Sequence, residues 1–298
     1  MPDKEASSWA DEEAGSREAF SDAALYDFEY RRRRADIMFY RRLARDRLSF
    51  TPRGPILDLA CGSGRLTLPL LRDGHQVVGL DLSAAMLAAA QKRVARLNPA
   101  RRERCLILRA DLRAFSFFPR FSLAIAAFHS VQHLYTLRDL RAFLRATHRS
   151  LVPGGWLAFD VLPPDPRWLS RDPHRRWART VFRHPTSGQR LVYTHTHQYD
   201  RRRRVLHVRI YYQPIDGRGR PTGPEQVVRL CHRQLEPVEV KNLLAQEGFD
   251  LLACFGGFDG RPLDQEADEH IYVAASRERN GRSGPGHRDR KESPTENT

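Results

Sequence analysis

The sequence lacks an apolar run of the length that crosses a bilayer, although it has 298 residues. A membrane-spanning helix needs about 20 such residues, and residues 1–5 do not resemble the start of a secretory signal. The four cysteines include no Cys-x-x-Cys pair, which argues against a zinc site or a disulfide framework. We therefore expect a cytoplasmic protein with reduced thiols.

Lysine is also scarce, so the net charge of +14 comes almost entirely from arginine. The arginines are unevenly distributed: residues 164–235 contain 16 arginines and 5 acidic residues. The first 22 residues are acidic, with 7 acidic and 2 basic side chains. Most of the positive charge therefore lies in one segment, and guanidinium groups in such a segment suit an anionic ligand.

The most informative stretch joins a short apolar run to a glycine turn. Residues 56–59 are apolar apart from Asp58, residues 60–64 contain Gly62 and Gly64, and a second strand-like run ends at Asp81. A strand, a glycine turn, a helix and a strand with a terminal carboxylate form the first half of a nucleotide-binding α/β unit. Glycine lets the backbone approach a ligand closely, and the carboxylate can accept hydrogen bonds from ribose hydroxyls.

The glycine pattern also limits which nucleotide is bound. Thr67 occupies the third glycine position of the dinucleotide fingerprint, and the absence of G-K-[ST] excludes a P-loop. The pattern from Asp58 to Gly64 instead resembles the first motif of class I S-adenosylmethionine (SAM) methyltransferases. Residues 79–87, 110–112 and 151–157 are similar to later motifs of that family, in the same order.

The resemblance implies a doubly wound, Rossmann-like α/β sheet with the strand order 3-2-1-4-5-7-6. Between strand 5 and the next core helix, three β-type runs at 190–200, 205–215 and 226–235 predict an antiparallel insertion. Ligands of open α/β sheets bind beyond the carboxyl ends of the strands. The insertion emerges at that edge, so we expect it to cover the cofactor and shape the acceptor pocket.

We expect six segments along the chain, and the insertion is one of them. They are a disordered N-terminus (1–20), an N-terminal helical lid (21–50), a SAM-binding core (51–162), an antiparallel β lid (163–235), the C-terminal part of the core sheet (236–276) and a disordered tail (277–298).

The resemblance assigns S-adenosylmethionine as the cofactor and implies its binding residues. Asp81 is expected to accept both ribose hydroxyls, Asp111 to accept from the adenine amino group, and Asp58 to support the glycine loop. The full expected set is Tyr30, Asp58, Ala60, Gly62, Ser63, Gly64, Asp81, Leu82, Met86, Ala110, Asp111, Leu112 and Phe128.

Two residues are expected to be catalytic. His129 follows strand 4 at the substrate-facing edge, and imidazole titrates near neutrality, so it is a candidate general base; a packing role is the alternative. Tyr26 lies four residues before Tyr30 on one helical face. The sequence around Tyr26 resembles the opening of small-molecule N-methyltransferases, including glycine/sarcosine and nucleotide-aminosugar enzymes, in which an N-terminal helix closes over SAM.

The acceptor is expected to contact His133, Arg209, Tyr211 and Arg233. The N/D-P-P-Y-type motif of enzymes that methylate DNA bases is absent after strand 4. Several histidines lie on the predicted insertion strands, but that region is poor in the carboxylates that Mg²⁺ prefers. We therefore expect no metal.

The sequence predicts an enzyme that transfers a methyl group from SAM to a nitrogen or oxygen of a small molecule, with an anionic metabolite or natural product as one acceptor class. An RNA or protein methyltransferase that uses the basic insertion, and a non-catalytic SAM-binding protein, are the alternatives. An NAD-binding oxidoreductase is a more distant one. We expect neither nucleic acid nor membrane as a partner, and a homodimer is left open.

Overall fold

The computed structural model describes residues 16–49, 54–118 and 120–278. The two expected disordered termini therefore lie for the most part outside the described residues. Within the described ranges, no helix is both long and apolar enough to cross a bilayer.

Two helices precede the central sheet, α1 (Ala23–Tyr30) and α2 (Ala35–Ser49). The break between them falls at residues 31–34, which are four consecutive arginines. Asp22 caps α1 by accepting a hydrogen bond from the backbone N–H of Leu25 at 2.8 Å, which satisfies one of the free donors at a helix start.

The core elements alternate between strands and helices, as an α/β fold requires. In chain order they are β1 (Ile56–Leu59), α3 (Thr67–Arg72), β2 (Val77–Asp81), α4 (Ala84–Val94), α5 (Pro99–Arg102), β3 (Cys105–Arg109), β4 (Phe121–Ala126), a 3₁₀ turn (Ser130–His133), α6 (Leu137–Ser150) and β5 (Leu151–Val161).

The remaining elements form the insertion and then complete the core. They are α7 (Pro166–Leu169), β6 (Trp177–Arg183), β7 (Arg190–Asp200), β8 (Val205–Pro214), β9 (Gln226–Arg233), α8 (Pro237–Gln246), β10 (Phe249–Phe255) and β11 (His270–Ser276).

The central sheet has seven strands in the order β10-β11-β5-β4-β1-β2-β3. β11 pairs antiparallel with both β5 and β10, and the other neighbours are parallel. Without the four insertion strands, β10 and β11 are the sixth and seventh strands of the core. The observed order is therefore the predicted 3-2-1-4-5-7-6, and the prediction is confirmed. Every residue of β1 and β4 is buried, because helices cover both faces of a parallel sheet.

The insertion is a four-stranded antiparallel sheet in the order β6-β7-β8-β9. Three of these strands were predicted, and β6 was missed. Five of its seven residues are exposed, so it carries no alternation of apolar and polar residues from which a strand could be predicted. In the inner face, Tyr193, His195 and His197 pair with Tyr212, Ile210 and Val208 respectively.

A buried glutamine joins the insertion to the core sheet. Gln132 is fully buried, and its amide accepts a hydrogen bond from the N–H of Leu162 at 2.8 Å and donates to the carbonyl of Arg233 at 2.8 Å. Leu162 follows β5, and Arg233 ends β9. One side chain therefore satisfies backbone groups of both sheets and fixes the edge of the insertion.

We expect Gln132→Leu to lower the free energy of unfolding by about 2–4 kcal/mol, because it leaves backbone groups of Leu162 and Arg233 buried without partners. Urea denaturation measures this loss. The matched control is Gln246→Leu on the exposed surface of α8, which should change the free energy of unfolding by less than about 0.5 kcal/mol. Equal effects of the two substitutions would contradict the role of Gln132.

Candidate active site

A cavity of about 1360 Å³ lies between the carboxyl ends of the central strands and the inner face of the insertion. It is larger than the roughly 300–1,000 Å³ of a typical small-molecule pocket, so it has room for two ligands. Its walls include α1, the glycine loop, the 3₁₀ turn, residues 162–169 and residues 265–269.

One end of the cavity is formed by Asp81 and the glycine loop. The Asp81 carboxylate accepts hydrogen bonds from the N–H groups of Gly62 and Ser83, both at 2.8 Å. Each carboxylate oxygen keeps a further lone pair for a ligand. Gly62 has φ +55°, and no atom lies within 4 Å of the position that a Cβ would take. Its backbone therefore borders open space that a ligand can fill.

Three residues of the expected cofactor set, Asp58, Ser63 and Gly64, do not line the cavity. Asp58 is buried and accepts a hydrogen bond from the Thr67 hydroxyl at 2.5 Å. The Ser63 hydroxyl donates to Asp27 of α1 at 2.6 Å. These side chains lie behind the glycine loop and hold it in place.

Apolar residues and a second acid form the wall next to Asp81. Asp111 accepts bidentate hydrogen bonds from Arg113. Burial acts to raise the pKa of Asp111, but these hydrogen bonds outweigh it, so its pKa lies below the usual value. All the expected residues of this wall line the cavity: Leu82, Met86, Ala110, Asp111 and Leu112.

An aromatic cluster closes the middle of the cavity. The ring of Tyr30 lies 4.9 Å from that of Tyr26 and 4.8 Å from that of Phe128, measured between centroids. Burial raises the pKa of Tyr30 to about 12 and also raises that of Tyr26. Both phenols therefore stay protonated near neutral pH, so they can donate hydrogen bonds but are poor general bases.

His129 lies in the same cavity, held by two acids. Phe128 and His129 both have positive φ, near +60°. Their N–H groups donate to the two oxygens of Asp160 at 2.9 and 2.8 Å. The imidazole Nε2 lies 2.8 Å from a carboxylate oxygen of Glu269. His129 was expected after strand 4 at the substrate-facing edge; the structure places it after β4 in the wall of the cavity, and its role as a base stays a prediction.

Sequence reasoning missed both acids. Asp160 is a charged residue at the carboxyl end of an otherwise apolar strand, and this signal was present in the sequence. Glu269 belongs to a polar loop before β11, where nothing distinguishes it from neighbouring acids. Only the pairing of β11 with β5 brings it to His129.

His129, Asp160 and Glu269 offer donor atoms that lie within 4.8 Å of one another. The same atoms are already used in hydrogen bonds: both oxygens of Asp160 accept backbone N–H groups, and one also accepts the Tyr40 hydroxyl. We therefore interpret the cluster as a hydrogen-bonded network. The absence of a resident metal remains a prediction.

The acceptor side of the cavity is bordered by uncharged histidines. Burial lowers the pKa of His133 and of His197 to about 4, and it also lowers the pKa values of His195 and His232. These rings are therefore neutral near pH 7. His133 contacts the cavity as expected, whereas the other three were not among the expected site residues.

The expected placement of Arg209, Tyr211 and Arg233 in the pocket is corrected by the structure. Strand alternation puts them on the face of the insertion that points away from the cavity, opposite Val208 and Ile210. Arg233 instead donates to Glu239 at 2.7 Å. The prediction put the face of Arg209 and Tyr211 toward the cavity, but the face of Val208 and Ile210 lines it.

Comparisons with known proteins agree with this geometry. A family model described as "Methyltransferase domain" matches residues 56–155. Residues 56–155 form a class I methyltransferase domain. The match covers the glycine loop, Asp81, Asp111 and His129, and therefore most of the cofactor side of the cavity.

The curated relatives of this domain include an enzyme that is named as a methyltransferase of a small molecule. The chain is 36% identical over 114 residues to the putative methyltransferase YqeM of Bacillus subtilis, covering 38% of this chain and 44% of the relative. It is 32% identical over 152 residues to a dTDP-3-amino-3,6-dideoxy-alpha-D-glucopyranose N,N-dimethyltransferase of Streptomyces fradiae, covering 49% and 53%. The chain thus spans about half the length of these curated relatives.

A solved structure resembles more of the chain than these relatives do. The glycopeptide N-methyltransferase MtfA, complexed with SAM, is 26% identical with a TM-score of 0.53, and the alignment covers 78% of this chain and 86% of MtfA. The expected cofactor, S-adenosylmethionine, is confirmed by the family and its solved neighbours. The free lone pairs of Asp81 can accept the ribose hydroxyls of SAM, and the open space at the Gly62 backbone can hold the methionine part of SAM.

We expect Asp81→Ala to weaken the binding of S-adenosylhomocysteine at least about 100-fold, because two charge-assisted hydrogen bonds are lost. Isothermal titration calorimetry measures this affinity. Asp250→Ala on β10, whose side chain is 65% exposed, is the control and should bind as the wild type does. Unchanged affinity of Asp81→Ala would show that the ribose is bound elsewhere.

Asp58 should make folding stability depend on pH. Burial raises its pKa to about 7, above the roughly 3.9 of an unfolded chain. Between these values the folded state binds a proton that the unfolded state does not, so the free energy of unfolding should fall as pH rises and level off above about pH 7.

Urea denaturation from about pH 5 to about pH 8 measures this dependence. The free energy of unfolding should change less steeply with pH in Asp58→Asn than in the wild type. The exposed Asp46→Asn should keep the wild-type slope, and a wild-type slope in Asp58→Asn would refute the assignment.

Proposed function

We propose that this chain is a SAM-dependent methyltransferase whose acceptor is an amine nitrogen of a small molecule. The observation that supports it is the arrangement of one cavity: Asp81 and the glycine loop lie at one end, and His129 with Glu269 opens into the same space. The amino sugar relative and the glycopeptide N-methyltransferase act, by their names, on nitrogen.

Charge also favours an amine. Among the described residues, neither Asp160 nor Glu269 forms an ion pair with an arginine or lysine. Asp160 is fully buried, and the Glu269 side chain is 13% exposed. Buried carboxylates that form no ion pair attract a cation, and a protonated amine is such a cation. Arg209 and Arg233 point outward and do not contact the acceptor, whereas Arg17, Arg33, Arg113 and Arg167 line the cavity and can contact an anionic part of it, such as a diphosphate.

The chain's own residues would then bind, orient and deprotonate the acceptor. SAM, when bound, supplies a methyl group already activated on a sulfonium, and S-adenosylhomocysteine leaves as the new bond to nitrogen forms. His129 accepts the proton of the acceptor ammonium, which frees the nitrogen lone pair. α1 and the insertion cover the cavity, so they exclude water and limit the orientations of the acceptor.

The proposal predicts methylation of dTDP-3-amino-3,6-dideoxy-α-D-glucopyranose, the amine named for the Streptomyces fradiae relative, but not of dTDP-glucose, which offers only hydroxyl groups. Mass spectrometry after incubation with SAM detects added methyl groups. If this amine and a wider panel of small amines stay unchanged while S-adenosylhomocysteine binds, the chain is a SAM-binding protein of another kind. Methylation of RNA or of proteins would likewise contradict the proposal.

We expect His129→Gln to lower kcat about 10–100-fold near neutral pH while affinity for S-adenosylhomocysteine stays within about twofold. The deficit should shrink at alkaline pH, because the amine then loses its proton to solvent. Steady-state kinetics over a pH series tests this. His174→Gln, on the exposed loop before β6, should behave as the wild type, and a deficit of His129→Gln that is constant with pH would contradict the base role.

A further inference from the structure

We propose that Glu269 is a positioning residue, which holds His129 with Nε2 protonated and Nδ1 free to receive the acceptor proton. This inference rests on the proposed function. It assigns a role to a loop residue that has no sequence signature and lies outside the matched methyltransferase domain.

The two imidazole nitrogens of His129 have different surroundings. Nε2 lies 2.8 Å from Oε2 of Glu269, so the carboxylate accepts Nε2–H. No described residue hydrogen-bonds Nδ1, and it is not among the buried side-chain nitrogens that lack a partner. The ring is 7% exposed at its side chain and lines the cavity. Nδ1 is therefore the nitrogen that an acceptor can reach.

The ring has little freedom to change this arrangement. Asp160 fixes the backbone of His129, and the neighbouring Phe128 ring is stacked on the imidazole at 5.3 Å between centroids. The hydrogen bond to Glu269 restricts the rotation of the imidazole about its side-chain bonds. An imidazole turned over would place a ring C–H where Nδ1 lies, and the other tautomer would place Nδ1–H there. Neither could accept a proton from the acceptor at that position.

The other charged and titratable groups around His129 do not substitute for Glu269. The nearer oxygen of Asp160 is 3.6 Å from Nε2, beyond hydrogen-bond distance. His133 and His232 have pKa values lowered by burial and remain neutral. When Nδ1 takes a proton from the acceptor ammonium, His129 becomes an imidazolium with two N–H groups, and the Glu269 carboxylate is the hydrogen-bonded countercharge. The proton later leaves to solvent, and the neutral ring is restored.

The first test does not depend on turnover. Nitrogen-15 NMR of full-length protein with bound S-adenosylhomocysteine reports the tautomer of His129, whose signal is assigned by its loss in His129→Gln. The wild type and Glu269→Gln should both show protonated Nε2 and unprotonated Nδ1, since the Gln carbonyl can also accept. Glu269→Leu should show a mixture of the two tautomers. A single, unchanged tautomer in Glu269→Leu would overturn the proposal.

The second test uses the amine that the wild type methylates. Glu269→Gln should lower kcat about 10–100-fold with little change in KM, and the acidic limb of the pH–rate profile should move to lower pH because the carboxylate no longer stabilises the imidazolium. Glu269→Asp should recover part of the rate. Asp259→Asn, an acid of the same loop whose side chain is 63% exposed and does not line the cavity, should leave the profile unchanged.

The outcomes separate the two proposals. A wild type that methylates no amine refutes the proposed function, while the NMR result still decides the role of Glu269. An active wild type whose rate and pH profile survive in Glu269→Leu, which cannot accept Nε2–H, refutes the positioning role alone. Loss of S-adenosylhomocysteine binding in Glu269→Gln, or abolition of wild-type activity by EDTA, would also overturn it, since it would indicate a structural role or a metal-binding role for this cluster.

Discussion

The Asp160 carboxylate is the constraint on which the rest of the site depends. Two consecutive residues with side chains, Phe128 and His129, adopt the left-handed region, which costs about 1–3 kcal/mol each. Asp160 offsets this cost by accepting both N–H groups, and the Tyr40 hydroxyl donates to the same carboxylate. The turn places the Phe128 ring against Tyr30 and the His129 ring against Glu269. Without the buried acid, neither placement would be specified.

This arrangement couples elements that are distant in sequence. Asp160 of β5 and Glu269 of the loop before β11 both form hydrogen bonds with the turn after β4, and Tyr40 of α2 donates to Asp160. Gln132, in the adjoining 3₁₀ turn, connects the same region to the end of β9. Hydrogen bonds around the turn after β4 therefore connect the core sheet, the N-terminal helices and the insertion. The same turn is also where the candidate base lies, so stability and chemistry depend on the same contacts.

The charge distribution follows from the two faces of the insertion. Its inner face presents tyrosines, neutral histidines and aliphatic side chains to the cavity, whereas Arg209 and Arg229 pair across strands on the outer face. Arg209 and Arg229 therefore do not contribute to the cavity wall, whereas Arg17, Arg33, Arg113 and Arg167 line it together with several acids. A basic segment in the sequence therefore does not imply a basic pocket.

The sequence by itself determined the central fold and the cofactor end of the site, because those features depend on local order: strand, glycine turn, helix and terminal carboxylate. The family resemblance of these motifs implied the sheet order and most residues that line the cofactor wall, including Asp81, Met86 and Phe128. Only the tertiary structure decided which face of the insertion is inward, since a period of two defines two faces without saying which one meets the core. It also decided that Glu269 reaches His129. The pairing of β11 with β5 brings these two residues together although they are 140 positions apart, and no local sequence pattern predicts the contact.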